Sequence, residues 1–258
     1  MKYILFEKRD HIGWITLNNP KQRNALSLEL MSEMNKRLDN MAKDRDIRVL
    51  IIRGNGPAFC VGHDINELVG KKYDIDHFRK VFSVCSDLMQ KLHSLPQPIV
   101  AQVHGVAMAA GCQLVAACDL AIAGSEAKFS TPGVKIGLFC STPMVPLSRV
   151  IGRKNALDML FTGRLITARE AEKFRLINKV VEPDKLKNET EKWANEISKF
   201  SLHTLEIGKK AFYEQIDMDE ESAYNYAKEI IAQNCLSEDA QEGMKAFLEK
   251  RKPKWKDS

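Results

Sequence analysis

The sequence predicts an α/β fold: a core built on a mainly parallel sheet, followed by a helical C-terminal region. Through the first two-thirds of the chain, short β-branched runs alternate with stretches of helical period, the order expected of strands joined by crossover helices. From about Asp184 the pattern changes to successive amphipathic helices without strands. At 258 residues, 44% hydrophobic and 28% charged, the chain is long enough to bury a substantial core, as one large domain or a core with a smaller appendage. The reading divides it into a core over residues 1–195 and a helical region over 196–258.

Trp14 to Leu17 and Val49 to Arg53 read as buried strands, with a helix from Ser27 to Lys43 between them. Leu28, Leu30, Met31, Met34, Leu38 and Met41 give that helix its apolar stripe, and Asn24-Ala25-Leu26-Ser27 marks its entry. Pro98 to Val103 and Leu120 to Ala123 read as two further buried strands, and a helix containing Cys112 to Cys118 lies between them. Leu186 to Lys199, Leu202 to Gln215, Glu220 to Cys235 and Asp239 to Arg251 read as the C-terminal helices. No short fixed-period repeat is visible.

Several classes are set aside at this stage. No run approaches the ~18 apolar residues of a membrane span. The start, MKYILFEKRD, has too short an apolar stretch for a signal peptide and lacks Arg/Ser-rich transit character. The six cysteines, at 60, 85, 112, 118, 140 and 235, form no CxxC pair and read as reduced thiols. A cytoplasmic location is expected, or the mitochondrial matrix if the chain is a mature, processed form. The net charge of +5 includes a basic tail at Lys250, Arg251, Lys252, Lys254 and Lys256. That tail reads either as a solvated, frayed end or as a patch for a polyanion. Nucleic acid is not expected, because no aromatic-interleaved basic stripe accompanies it. No metal site is expected.

Two turns carry the chemistry. Phe59-Cys60-Val61-Gly62-His63-Asp64-Ile65 follows the strand VLIIR, and His104 to Gly111 follows the strand PIVAQV and opens a helix. Ala109, Ala110 and Gly111 are all small, so a ligand can approach the backbone closely. Free N–H groups at the helix start favour negative charge. A second N–H from the first turn could complete a pair aimed at one carbonyl oxygen, an arrangement that stabilises the oxyanion or enolate of a thioester.

The two turns, in this order and with these flanks, resemble the crotonase superfamily, the enoyl-CoA hydratase/isomerase family. The resemblance extends through Asn19-Pro20-Lys21 with Asn24-Ala25-Leu26, Phe161-Thr162-Gly163 with Ala168, Glu170 and Ala171, Asn178 to Val181, and Glu242-Gly243-Met244 with Phe247 and Lys250 to Lys252. It implies a ClpP-like spiral of ββα units, assembled as a homotrimer or a dimer of trimers. It also implies an acyl-CoA thioester as ligand, with coenzyme A as part of the substrate and no separate cofactor. The oxyanion donors would be the backbone N–H groups of His63 and Ala110. Lys21, Arg23, Ala25, Val61, Gly62, Asp64, Ile65, Gly111, Pro132, Phe247 and Lys250 would line the substrate site, the last two near the CoA.

Hydratases of that family place glutamates where this chain has Gln113 and Gly133. Glutamine cannot exchange a proton at neutral pH, and glycine offers only its backbone. A positioned acid or base contributes ~10²–10⁴-fold, so efficient two-glutamate hydration is not expected. Dienoyl isomerases of the family carry a further acid at the position of Ser141. Cys140 and Ser141 are the main substitute proton carriers; Cys60, His63, Asp64, Ser130 and Thr131 also lie close in sequence. Asp119 reads as an anchor for the second turn and His104 as a packing residue. The expected function is acyl-CoA processing by lyase, isomerase or thioesterase chemistry within fatty-acyl or related CoA-ester metabolism. The alternative is a non-catalytic CoA-ester-binding scaffold.

Overall fold

The structure, a computed structural model, describes residues 3–69 and 73–257. β1 (Ile4–Arg9) and β2 (Ile12–Leu17) form an antiparallel ribbon at one edge of the main sheet. From β2 onward the chain winds as a spiral. Each turn places one segment in the main sheet, one crossing segment in a second layer, and then a helix. The first turn is β2, the crossing residue Leu26 and α1 (Leu28–Ala42). In the second, β3 (Val49–Gly54) leads to Cys60 and His63, then to α2 (Ile65–Val69) and α3 (Ile75–Ser94). The third is β4 (Ile99–Val103), β5 (Val106–Met108) and α4 (Ala110–Ala117). The fourth is β6 (Leu120–Gly124), β7 (Lys128–Ser130) and α5 (Ser141–Val150). After these come α6 (Gly152–Thr162), β8 (Ile166–Thr167), α7 (Ala168–Lys173) and β9 (Lys179–Val181).

The main sheet has the order β1-β2-β3-β4-β6-β9, and every pairing after β1·β2 is parallel. The second layer orders β5-β7-β8, and single parallel bridges join Leu26 to His63 and Cys60 to Ala107. Both faces of the main sheet are covered, which is why VLIIR is apolar at successive positions. Leu50 and Ile52 join the larger core, with α1 and α3. Val49 and Ile51 face the other way and pack with Trp14, Val100 and Ile122 against Leu186 and Ala194 of α8 (Leu186–Ser198). In α1 the predicted stripe is buried at Leu30, Met31, Met34, Leu38 and Met41, and the Ser27 hydroxyl accepts from Leu30 N–H at 3.1 Å. Each such side chain contributes ~1.5–3 kcal/mol on burial.

The predicted mainly parallel α/β core and helical C-terminal region are both present. α9 (Leu202–Gln215), α10 (Glu220–Asn234) and α11 (Glu238–Leu248) are each entered through a capping side chain: Ser201, Asp219 and Ser237. Much of their apolar surface stays open, with Phe212, Ile216, Tyr224, Ile231, Phe247 and Leu248 all exposed.

Two expectations about the end of the chain need correction. The last helix stops at Leu248, and Lys250 adopts φ 54°, so the chain turns away before Arg251. Nor is the basic tail a frayed end. Arg251 pairs with Glu242 at 2.6 Å, and the Trp255 indole N–H donates to Lys199 C=O at 2.6 Å. Asp257 pairs with Arg48 at 2.8 Å and accepts from Leu202 N–H at 2.6 Å. An indole packed over Gly243 and an acid tied into the core fix the tail, outweighing its like charges.

Candidate active site

The bridge between Cys60 and Ala107 brings the two turns together: Cys60 N–H donates to Val106 C=O at 3.1 Å and Cys60 C=O accepts from Met108 N–H at 2.9 Å. Gly62 then has to pass close to the second turn. A Cβ on it would lie 2.8 Å from Ala109 Cβ and 3.3 Å from Ala110 N, and its φ of 98° suits glycine. Gly111 is pressed on Cys60 C=O, 2.1 Å from where its Cβ would be. Ala109 adopts φ 48°, ψ −118°, a strained conformation for a residue with a side chain, and Ser130 C=O holds it through its N–H at 2.9 Å. Among the described residues, the N–H groups of His63 and Ala110 have no acceptor. Two donors on adjacent turns, one of them at a helix start, are what an oxyanion needs.

Asn24, part of the helix-entry motif and of the segment Asn24-Ala25-Leu26 that resembles the family, is a clamp for the first turn. It is fully buried at φ 58°. Its amide donates to Asn55, Ala58 and Phe59 C=O at 2.9, 2.8 and 3.2 Å, and its Oδ1 accepts from Asn19 N–H at 2.9 Å. Around it, Lys21 and Arg23 are exposed and Ala25 is buried. Val61 and Asp64 are half-buried, Ile65 is exposed, and Asp64 Oδ1 accepts from Asn66 N–H at 3.0 Å. Phe247 and Lys250 lie exposed at and just past the end of α11. His104 hydrogen-bonds Gly56 C=O through Nε2 at 2.8 Å.

The positions of the two expected acids differ in character. Gln113 lies one turn into α4, is 3% exposed, and its Oε1 is buried without a partner. Gly133 follows Pro132 in the short helix Pro132–Ile136, and there is no room for a side chain: a Cβ would lie 2.6 Å from Leu138 C=O and 2.8 Å from Cys140 Sγ. Cys140 therefore occupies the direction in which a residue at 133 would extend. Burial pushes its thiol pKa up, opposed by the Gly133 N–H, so it stays protonated at neutral pH. Burial likewise pushes Cys60 to about 12. The Ser141 hydroxyl is exposed and donates to Phe139 C=O at 3.3 Å. Thr131 Oγ1 is buried and unpartnered, whereas Ser130 Oγ donates to Gly163 C=O at 3.1 Å. The His63 ring stands edge-on to Phe82 at 5.1 Å with both nitrogens buried and unpartnered, and burial lowers its pKa to about 4. Its imidazole is neutral at pH 7.

At the far end of α4, Asp119 accepts from Ile99 N–H at 2.7 Å, from Lys209 Nζ at 2.7 Å and from the Tyr213 hydroxyl at 2.8 Å. Lys209 also donates to Leu92 and Gln97 C=O at 2.7 and 2.9 Å. This network joins α9 to the ends of α3 and α4. Tyr213 in turn stacks on His93 at 4.0 Å. Among the described residues, no group of three or more His, Cys, Asp or Glu could hold a metal ion, and no helix is long and apolar enough to cross a membrane.

The chain matches the enoyl-CoA hydratase/isomerase family over residues 7–258. It is 44% identical over 248 residues to the rat mitochondrial enoyl-CoA hydratase domain-containing protein 3, covering 96% of this chain and 82% of that protein. A probable enoyl-CoA hydratase of Mycobacterium tuberculosis is 34% identical, with 98% and 97% coverage. Among solved structures, the human enoyl-CoA hydratase domain-containing protein 3 superposes with a TM-score of 0.96 at 42% identity, covering 98% and 100% of the two chains. An enoyl-CoA hydratase from Mycobacterium smegmatis gives 0.96 at 41% identity, covering 99% of each chain. The stretch Gly111 to Ala116, with Thr131 to Val134 and Gly137 to Pro143, also resembles the domain-containing protein 3 group. The spiral of ββα units is thus the crotonase fold, and the chain belongs to the enoyl-CoA hydratase/isomerase family.

Proposed function

We propose that this protein binds an acyl-CoA thioester with its carbonyl oxygen between the N–H groups of His63 and Ala110. The chemistry it performs would need that oxyanion hole but not a pair of glutamates. The observation that carries the reading is the pair of unpartnered donors brought together by the Cys60–Ala107 bridge. Thioester hydrolysis, decarboxylation, or isomerisation with another base all develop negative charge on that oxygen. Two-glutamate hydration does not fit: Gln113 carries no exchangeable proton and Gly133 has no space for an acid. The exposed apolar surfaces of α9 to α11 suit assembly as a trimer or a dimer of trimers. In this reading, residues 196–258 contribute to that contact and to the CoA site. The proposal calls on no cofactor beyond the CoA carried by the substrate, and on no nucleic acid. The mitochondrial relatives favour the matrix, with the cytoplasm as the alternative.

The test is incubation with a panel of enoyl-, malonyl-type and saturated acyl-CoAs, with products identified by mass spectrometry. Ala110→Pro removes the donor at the first residue of α4, where proline suits a helix, and circular dichroism checks that the tight turn at Ala109 and Gly62 accommodates the ring. One lost donor costs ~10²–10³-fold in rate. Product formation slowed to that extent in a folded Ala110→Pro variant supports the enzyme. Equal rates in the two proteins defeat it. The buried, unpartnered Gln113 and the protonated Cys140 favour a second reading, a CoA-ester-binding scaffold. It predicts binding without turnover.

A further inference from the structure

Alongside Gln113, between α4 and α5, a cavity of about 930 Å³ opens, bounded also by α3 and α9. It is of a size to hold a small ligand. Its lining follows helical spacing, with Gln113 and Ala116 from α4 and Thr142, Val145 and Arg149 from α5. The two helices begin side by side, where Cys112 and Cys140 are close enough to interact. One end of the cavity therefore adjoins the thioester site. From Thr142 to Arg149 the wall advances ~10 Å.

The opposite end is charged. Residues 175–178 sit at the C-terminal end of α4, because Asn178 exchanges hydrogen bonds of 2.9 Å with the backbone of Ala121. Arg175 lines the cavity there, exposed, and has no ion pair among the described residues. Arg149 donates to Val145 C=O at 3.1 Å and makes a loose, exposed ion pair with Asp217 at 3.8 Å. Of the two acids that line the cavity, Asp119 is already satisfied by Lys209, Tyr213 and Ile99, and Asp217 stands beside Arg149. At the entrance, Gln113 Oε1 is a buried acceptor awaiting a donor. A carboxylate at this end would meet two guanidinium groups, those of the exposed Arg175 and Arg149, against the single carboxylate of Asp217.

We propose that this cavity is the acyl subsite and takes a medium-length acyl chain ending in a carboxylate, an ω-carboxyacyl-CoA. Gln113 lies beside the reacting end, and Arg175, assisted by Arg149, receives the distal carboxylate. The proposal rests on the thioester reading above.

Calorimetric titration with butyryl-CoA, octanoyl-CoA and the eight-carbon ω-carboxyacyl-CoA tests it. Wild type should bind the ω-carboxy ester about fivefold more tightly than octanoyl-CoA, the upper worth of a contact to exposed guanidinium groups. Arg175→Gly suits the local φ of 67° and so preserves the fold. It should abolish the preference and leave butyryl-CoA affinity unchanged. Ala116→Phe should weaken both eight-carbon esters but not butyryl-CoA. Equal affinity of wild type for the two eight-carbon esters overturns the proposal, as does a preference that survives both Arg175→Gly and Arg149→Ala. So does Ala116→Phe altering the sedimentation coefficient while sparing every affinity, which would make the cavity a seam between copies. If no ester binds, butyryl-CoA included, the thioester reading itself fails.

Discussion

Acidifying the solution from pH 7 to pH 5 should destabilise this protein in part through the imidazole of His63. In the unfolded chain it titrates at 6.5, and in the folded protein burial lowers that to about 4. Both ring nitrogens are shut away without a partner, and Phe82 occupies one flank. Between the two values the unfolded state binds a proton that the folded state does not, so stability falls as pH falls through that window. The full difference corresponds to about 3 kcal/mol, and about 2 kcal/mol of it is lost by pH 5.

Urea denaturation followed by tryptophan fluorescence, at one fixed protein concentration, measures this at pH 7, 6 and 5 for wild type and His63→Leu. The variant keeps the backbone N–H and removes the titration. Wild type should lose about 2 kcal/mol more than the variant between pH 7 and pH 5. His93, whose pKa burial also lowers, acts in both proteins and cancels. If the two curves fall in parallel, the His63 imidazole is not held neutral by burial, and the description of the first turn is wrong.

Three further outcomes follow from the same geometry. Gly133→Glu alone should give no crotonyl-CoA hydration, read as loss of enoyl absorbance, and should cost ~1–3 kcal/mol by overpacking against Cys140 and Leu138; detectable hydration would refute the account of that site. Lys209→Met leaves Asp119 without its buried cation and should cost ~3–5 kcal/mol in denaturant titration, against ~1 kcal/mol for Tyr213→Phe, which removes one hydrogen bond. Ala109→Gly should raise stability by ~1 kcal/mol, since glycine adopts φ 48° without strain; a fall in the urea midpoint would show that the alanine side chain contributes more than its strain costs.

What the sequence discloses depends on how far apart the cooperating residues lie. The α1 stripe, the apolar run Val49 to Arg53 and the small residues Ala109 to Gly111 are local signals, and each lands where its period or size requires. The helix α3, absent from the elements expected from the sequence, carries an equally local signal, since Val81, Cys85, Leu88 and Leu92 are its buried stripe at period 3.6. Lys209 is different: its partners are 90 to 117 residues away, and a lone lysine in an amphipathic helix looks like any solvated one. The cavity is hidden for the same reason, because α3, α4, α5 and α9 each supply only part of its wall.

Position 133 shows why this matters for function. From the sequence, a glycine in place of an acid looks like a simple deletion, reversible by one substitution. In the fold, Leu138 C=O and Cys140 Sγ have closed over the vacated direction, and Gly133 N–H supports the thiol. An acid placed there now would have to displace backbone as well as a side chain. The loop from Gly133 to Cys140 is thus built around the absence of the acid, while the donors at His63 and Ala110 remain in place. In the proposed reading, the strain held at Ala109 beside those donors and the closed position at 133 belong to one thioester site that works without the second acid.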